Sequence, residues 1–327
     1  MILHENKSTF EAAIKITAEH FGIPEVLVEK DYWVTFALKQ LFSNIDIKEG
    51  IVFKGGTALS KCYRLIERFS EDIDLVTITN DEMSGAGIKS LLKKITSSIS
   101  EPLISIDKHP LENKKGKLRK VAFGYEKASL EGSLGQVRDE IILEVSALGS
   151  PYPSEVFEVH SLIARYIGQT ENLQLIQQFD LTPFPVKVLG LTRTFCEKII
   201  SLIRFSYTEN PLQSLADKVR HTYDLHFLLQ EQSIKEFLNS QDFEAMLLQV
   251  GLDDDKAIPN DKEWLYNHPS KALIFSELKT TWQQLSTTYN GIFKELTYGN
   301  HPDAKEILTS LKLIKERLES VPWSIIK

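Results

Sequence analysis

The 327-residue chain is short of the residues that would commit it to several common chemistries. It has only two cysteines, Cys62 and Cys196, each within an apolar, helix-like stretch. A disulfide framework is excluded, and core thiols in a reducing compartment are expected. The two cysteines and eight histidines show no zinc spacing. No apolar run approaches the roughly 20 residues needed to span a bilayer. The opening MILHENKSTF has no basic start leading into an apolar segment, so no secretory signal is expected and the location should be cytoplasmic. Positive charge is not in excess: the net charge is −7 and the pI about 5.7. That argues against a protein that coats nucleic acid through a global basic field, while leaving room for a local basic groove. There is no G-x-x-x-x-G-K-[ST] loop and no nucleophile elbow. The acidic run at residues 253–255 lacks a glycine at EF-hand spacing, which disfavours a Ca²⁺ site.

What is present is ordinary globular composition, 42% hydrophobic and 25% charged, in a chain long enough for two domains. A capping box at residues 8–11 opens a first helix, which Gly22 stops. Pro24 begins a second helix over 24–42 with a wide apolar face. Strands are expected at 50–54, 72–79, 103–108, 117–125 and 139–146, with helices at 57–67 and 88–99. Residues 80–87 and 126–135 read as loops. Residues 146–185 read as irregular around a short helix at 160–168, and 185–189 as a brief extended entry. From 191 the pattern is helical, at 192–207, 212–230, 234–250, 271–289 and 302–318. The expected architecture is α+β: residues 1–190 as a mixed sheet flanked by helices, and 191–327 as a mostly helical domain.

The stretch that carries chemistry is FKGGTALSKCYRLIERFSEDIDL, residues 53–75. It reads as strand, Gly-Gly turn, helix, link and strand. Gly55 and Gly56 open a helix where a phosphate can approach backbone N–H groups. Asp72 and Asp74 are two apart on a strand, so both carboxylates project from one face. Two carboxylates aimed together repel unless a cation lies between them. The plainer alternative is a solvated edge with two harmless aspartates.

Glu144 lies within the apolar run IILEVSAL, where a carboxylate is costly unless paired or metal-bound. If its strand lies beside that of Asp72 and Asp74, three carboxylates converge in a way that suits Mg²⁺. A surface-facing glutamate is the alternative. In RTFCEKIISLIRF, Lys198 sits at the edge of a buried face of Phe195, Ile199, Leu202 and Ile203, as a point charge for a phosphate or as a solvated lysine. In RHTYDLHFLL, Arg220, His221 and Asp224 share one side of a helix, and Asp224 leads into an apolar run that favours its burial. The basic run at 108–120 is either a polyanion grip or a solvated hairpin.

Taken together, FKGGTALSK, RFSEDIDL, the acidic strand at Glu144, RTFCEKII and RHTYDL, with EKDYW at 29–33, resemble the AbiEii/AbiGii family of toxin nucleotidyltransferases. That family is similar at its core to polymerase-β-type nucleotidyltransferases. The resemblance covers most of the first 230 residues. It implies nucleotide binding at Gly55 and Gly56, metal ligands at Asp72 and Asp74, and functional roles for Lys198 and Asp224. Glu144 is carried over as the superfamily's third acid. Such proteins act in toxin–antitoxin or phage-abortive systems, and some add nucleotides to tRNA 3′ ends. The chain departs from the broad superfamily in having Gly-Gly for Gly-Ser and a longer interval to Asp72, which an extra helical turn would absorb.

The resulting expectation is a transferase that uses Mg²⁺ or Mn²⁺ to move a nucleotide from an NTP to an RNA, with tRNA favoured, and that is countered by an antitoxin. Gly55, Gly56, Thr57 and Lys61 are expected at the phosphates, Asp72, Asp74 and Glu144 at the metals, Lys198 at the triphosphate, and Asp224 orienting Lys198 or the nucleotide. A protein or small-molecule hydroxyl as acceptor, and a nucleotide-binding module without turnover, are the rival readings.

Overall fold

The computed structural model describes residues 1–79, 83–128, 138–257, 263–323 and 325. The chain divides into two compact units: Met1–Tyr63, Phe69–Ala147 and Ser154–Val188 in the first, and Arg64–Arg68, Leu148–Pro153 and Leu189–Lys327 in the second. Two short segments from before residue 190 therefore group with the C-terminal helices, which a single boundary along the chain does not anticipate.

The first unit is built on a sheet of seven strands: β1 (Ile51–Lys54), β2 (Ile73–Thr77), β3 (Ile104–Ser105), β4 (Leu118–Gly124), β5 (Ile141–Ser146), β6 (Ser154–Val159) and β7 (Phe184–Leu189). Their order is β3-β4-β5-β2-β1-β7-β6. β2 runs antiparallel to β1 and parallel to β5, β5 runs antiparallel to β4, and β1 runs parallel to β7, so the sheet is mixed. Helices α1 (Lys7–Phe21), α2 (Glu25–Ser43), α3 (Gly55–Lys61), α4 (Gly85–Thr96), α5 (Leu162–Ile167) and α6 (Gln174–Gln178) accompany it. Alternate residues of the central strands enter one core with Phe10, Ile14, Trp33, Leu38, Leu41, Leu92 and Ile95 of the helices: Ile51 and Phe53, Ile73 and Leu75, Leu143 and Val145, Val121 and Phe123. Each is under a tenth exposed, the burial that fixes the register, because a one-residue slip would turn the set outward.

Several local expectations differ from the structure for definable reasons. Asn6, not Ser8, caps α1, its side chain accepting from the Thr9 N–H at 3.1 Å. Helix α3 ends at Lys61 rather than near residue 67. Beyond it Arg64 takes φ 56°, outside the helical region, and residues 64–68 belong to the second unit. No extra helical turn absorbs the interval to Asp72. β6 was not expected; in SEVFEV most positions are half or fully exposed, as at a sheet edge, so it lacks a clean apolar alternation. The loop expected at 126–135 lies partly, and that at 80–87 partly, outside the described residues.

The second unit contains α7 (Leu191–Phe205), α8 (Pro211–Asp217), α9 (Arg220–Leu228), α10 (Gln232–Leu238), α11 (Gln241–Ala257), α12 (Glu263–Tyr266), α13 (Leu273–Ser276), α14 (Leu278–Asn290) and α15 (Ala304–Glu319). The helices expected at 212–230, 234–250 and 271–289 are each broken once. On α7, Phe195, Ile199, Leu202 and Ile203 are buried as their spacing predicts. Asp253 and Asp254, from the acidic run, pair with Arg193 and Arg204, both at 2.7 Å. Both cysteines are free and buried. Among the described residues, no helix is long and apolar enough to cross a membrane.

Candidate active site

The face of the sheet opposite the helical core carries a row of charges. Across β1, β2, β5 and β4 the register sets Lys54 opposite Asp74, Asp74 opposite Glu144, and Glu144 opposite Lys120. Residues directly opposite in neighbouring strands share a face, so Asp74 and Glu144 stand side by side between two lysines. Asp72, two residues before Asp74, joins the same side. All are half-buried, while Ile73 and Leu75, which alternate with the aspartates, are at most 1% exposed. The strand adjacency on which three converging acids depended is therefore present.

The glycine turn is fitted to this row. Gly55 has φ +84°, and a Cβ built on it would lie 2.3 Å from Asp74 Oδ2. Only glycine permits both the backbone and the approach of that carboxylate. Lys54, the residue before α3, provides no side-chain cap to the helix, so none of the first-turn N–H groups is capped from that position. Thr57 is 3% exposed, and its hydroxyl contacts Ser70 Oγ at 2.9 Å and the Asp72 carbonyl at 2.7 Å. Its side chain holds the approach to β2 instead of facing outward. Lys61 is likewise engaged, its ammonium 2.5 Å from Asp31 Oδ1.

The EKDYW segment on α2 makes contacts that the sequence does not reveal. Glu29 and Lys30 are 3% and 0% exposed on a helix face otherwise apolar. Glu29 accepts the Ala128 N–H at 2.7 Å. Lys30 donates to the carbonyls of Arg138 and Glu140 at 2.6 and 2.7 Å and pairs with Glu71 at 3.3 Å. Asp31, besides holding Lys61, accepts the Leu162 N–H at the start of α5 at 2.6 Å. Burial lowers the Lys30 pKa against the pull of Glu71, and raises that of Glu71 against the pull of Lys30. Arg138 NH1 lies 2.9 Å from Asp72 Oδ1. The available signal was a Glu-Lys-Asp triplet within an apolar helical face, which has to find partners when buried.

In the second unit, Lys198 of α7 and Asp224 of α9 form a buried ionic group with Arg68. Asp224 is fully buried; its Oδ1 accepts from Arg68 Nε at 2.7 Å, and its Oδ2 from Arg68 NH2 at 2.8 Å and Lys198 Nζ at 2.6 Å. Burial opposes ionisation of Asp224, but the two cations outweigh it and hold the carboxyl below its ordinary range. Burial lowers the Lys198 pKa, with Asp224 acting against it. His221 Nδ1 is buried without a hydrogen-bond partner among the described residues. Burial and the charges of Lys198 and Arg220 keep its ring well below its usual pKa, and so neutral.

Three carboxylates offer only hard oxygen donors, a set that suits Mg²⁺ or Mn²⁺ and not zinc. As arranged, the described residues contain no group of three or more His, Cys, Asp or Glu side chains that could hold a metal ion. Instead Asp72 faces Arg138 at 2.9 Å and Glu144 faces Lys120 at 3.1 Å, so each carboxylate already receives a positive group. The row suits a divalent cation in donor chemistry, while Gly55 lets the Asp74 carboxylate lie against the turn.

An α+β chain with a glycine turn against a strand-borne aspartate pair has the parts of a nucleotidyltransferase. Residues 37–310 match the family described as "Nucleotidyl transferase AbiEii toxin, Type IV TA system". The chain belongs to that family, and is a nucleotidyltransferase toxin of a type IV toxin–antitoxin system; membership implies an NTP substrate and a cognate antitoxin. Among solved structures, MenT4, the nucleotidyltransferase toxin Rv2826c from Mycobacterium tuberculosis H37Rv, is similar at 15% identity and a TM-score of 0.44, over 94% of this chain and 98% of that one. Comparison with characterised proteins by sequence gives no match.

Proposed function

We propose that the protein transfers a nucleoside monophosphate from an NTP to a hydroxyl of an RNA, with a tRNA 3′ end the favoured acceptor. The observation that carries this is the Asp74–Glu144 pair on adjacent strands, extended by Asp72 and met by Gly55. In this reading Asp72 and Asp74 hold Mg²⁺ or Mn²⁺, and Glu144 completes the donor set. A divalent cation held there supplies neutralisation of triphosphate charge and activation of the attacking oxygen. The backbone at Gly55, Gly56 and Thr57 receives the β- and γ-phosphates. The acceptor oxygen forms a bond to the α-phosphorus, the bond from that phosphorus to the bridging oxygen breaks, and pyrophosphate leaves. Glu144 accepts the hydroxyl proton. The protein's contribution is positioning and charge.

In the second unit Asp224 fixes the Lys198 ammonium, and a lysine so held supplies positive charge to an anionic substrate. Lys61 is reassigned from phosphate contact to holding Asp31. Lys108, Lys115 and Lys117 are exposed and favour an RNA acceptor through a local basic surface despite the net charge of −7. A cytoplasmic site of action suits the two free, buried thiols.

The test is incubation of purified protein with Mg²⁺, each labelled NTP in turn and total RNA, beside Asp72→Ala. Label on RNA in the wild type and none in the variant is expected. Transfer that survives Asp72→Ala would sink the metal assignment. Label on protein or a small molecule would change the acceptor class, and nucleotide binding without transfer would favour a module without turnover. A steep loss of tRNA affinity with salt is expected for the RNA reading.

A further inference from the structure

Arg138 has a fixed root and a partly free tip. Its N–H donates to both Glu71 oxygens at 3.1 and 3.3 Å. Its carbonyl accepts from the Lys30 ammonium at 2.6 Å, and that ammonium also holds the Glu140 carbonyl at 2.7 Å and pairs with Glu71. A lysine that is 0% exposed thus grips the chain on both sides of residue 139, immediately before β5. Burying an ammonium is costly unless its hydrogen bonds are well met, so the bracket fixes this piece of backbone firmly. The side chain is different. It is 40% exposed, and its NH1 reaches Asp72 Oδ1 at 2.9 Å, with Glu71 Oε1 farther off at 3.7 Å.

From this geometry we infer that Arg138 is a positioning residue: the resident counter-ion of Asp72, which a divalent cation must displace, and which is then free to meet the phosphates of the incoming nucleotide. The inference rests on the reading that Asp72 binds a divalent cation. The same oxygen cannot give its full charge both to a guanidinium and to a metal. Displacement therefore opposes metal binding when nucleotide is absent. A triphosphate offers the displaced guanidinium a new anionic partner suited to its planar donors. Cation and nucleotide then help each other to bind, and the coupling is reciprocal. Lys30 and Glu71 serve this by holding the root while the tip changes partner.

The experiment is Mn²⁺ binding to the full chain, followed by electron paramagnetic resonance, with and without a non-hydrolysable NTP analogue. Wild type, Arg138→Gln, Arg138→Lys and Asp72→Asn are compared. Without nucleotide, Arg138→Gln should bind Mn²⁺ about 1.5- to fivefold more tightly than wild type, the range for loss of a part-exposed charge pair. The analogue should then tighten Mn²⁺ binding less than it does in wild type. Arg138→Lys, which keeps the charge, should stay closer to wild type than Arg138→Gln does. Equal or weaker Mn²⁺ affinity in Arg138→Gln overturns the inference. If Asp72→Asn loses Mn²⁺ while Arg138→Gln matches wild type, the metal assignment stands and only the role of Arg138 falls. If wild type binds no Mn²⁺, or Asp72→Asn binds it as wild type does, the metal assignment itself fails.

Discussion

Asp224→Ala should destabilise the second unit out of proportion to the size of the side chain. The carboxylate is 0% exposed and receives three charged hydrogen bonds, two from Arg68 and one from Lys198. Arg68 and Lys198 are 4% and 5% exposed, so removing their shared anion leaves two buried cations facing each other. Breaking a buried pair from one side costs about 3–5 kcal/mol, against a total stability of about 5–15 kcal/mol. Adding Lys198→Met should recover part of the loss, because one of the two buried cations that shared Asp224 is then gone. Urea unfolding followed by tryptophan fluorescence is the assay. Three of the four tryptophans, Trp264, Trp282 and Trp323, lie in this unit, so its transition dominates the signal. A loss below about 1 kcal/mol for Asp224→Ala, the range of an exposed pair, would refute the reasoning. So would a double variant no more stable than the single one. The pH dependence has a fixed sign. Asp224 has a folded pKa below its ordinary 3.8, so its contribution is present above that value and is lost as pH falls toward the folded one. Wild type should lose stability in this acid window in excess of Asp224→Ala.

Gly55→Ala must place a methyl 2.3 Å from Asp74 Oδ2 at φ +84°. The backbone term alone is about 1–2 kcal/mol. Reduced urea stability together with weakened Mn²⁺ binding is expected, and wild-type values for both would show that the turn tolerates a side chain. Thr57→Val keeps the shape but removes the hydroxyl that joins Ser70 and the Asp72 carbonyl, costing about 1–3 kcal/mol of unfolding free energy. Burial pushes the Cys62 thiol up to about 12 and the Cys196 thiol well above its usual value. Neither should react with a thiol reagent at pH 7 until the chain unfolds, and fast labelling of either would contradict its burial.

The parts of the candidate site that are legible in the sequence are those made by neighbours along the chain or by strand periodicity. Asp72 and Asp74 alternate with Ile73 and Leu75, and the glycines precede a helix; period and turn chemistry suffice for both. Glu144 beside Asp74 required knowing which strands adjoin, since an acid in an apolar run says only that some partner exists. Arg138 is not legible, because nothing in a polar Arg-Asp-Glu sequence marks which charge is turned inward. Its bracket begins 108 residues earlier, at Lys30. The end of α3 at Lys61 is hidden for a similar reason. Tyr63–Arg68 carries helix-forming residues, but Arg68 is required by Asp224, and a tertiary ion pair overrides local propensity. The breaks after α8, α10 and α13 fall at Lys218, Asn239 and Glu277, none of them Pro or Gly.

The pairing of Arg68 with Asp224 also sets an order of events during synthesis. The two residues are 156 positions apart, an interval that a ribosome adding 5–20 residues per second takes about 8–30 s to cover. Until Asp224 emerges, the Arg68–Asp224 pair cannot form, and residues 64–68, which lie between α3 and β2, belong to a unit that is still incomplete. The residues of α1, α2 and β1 leave the ribosome early, whereas the Arg68–Asp224 pair must wait for α9. A truncated product ending before α9 would carry the glycine turn and both aspartates without the ionic group that secures the link between them.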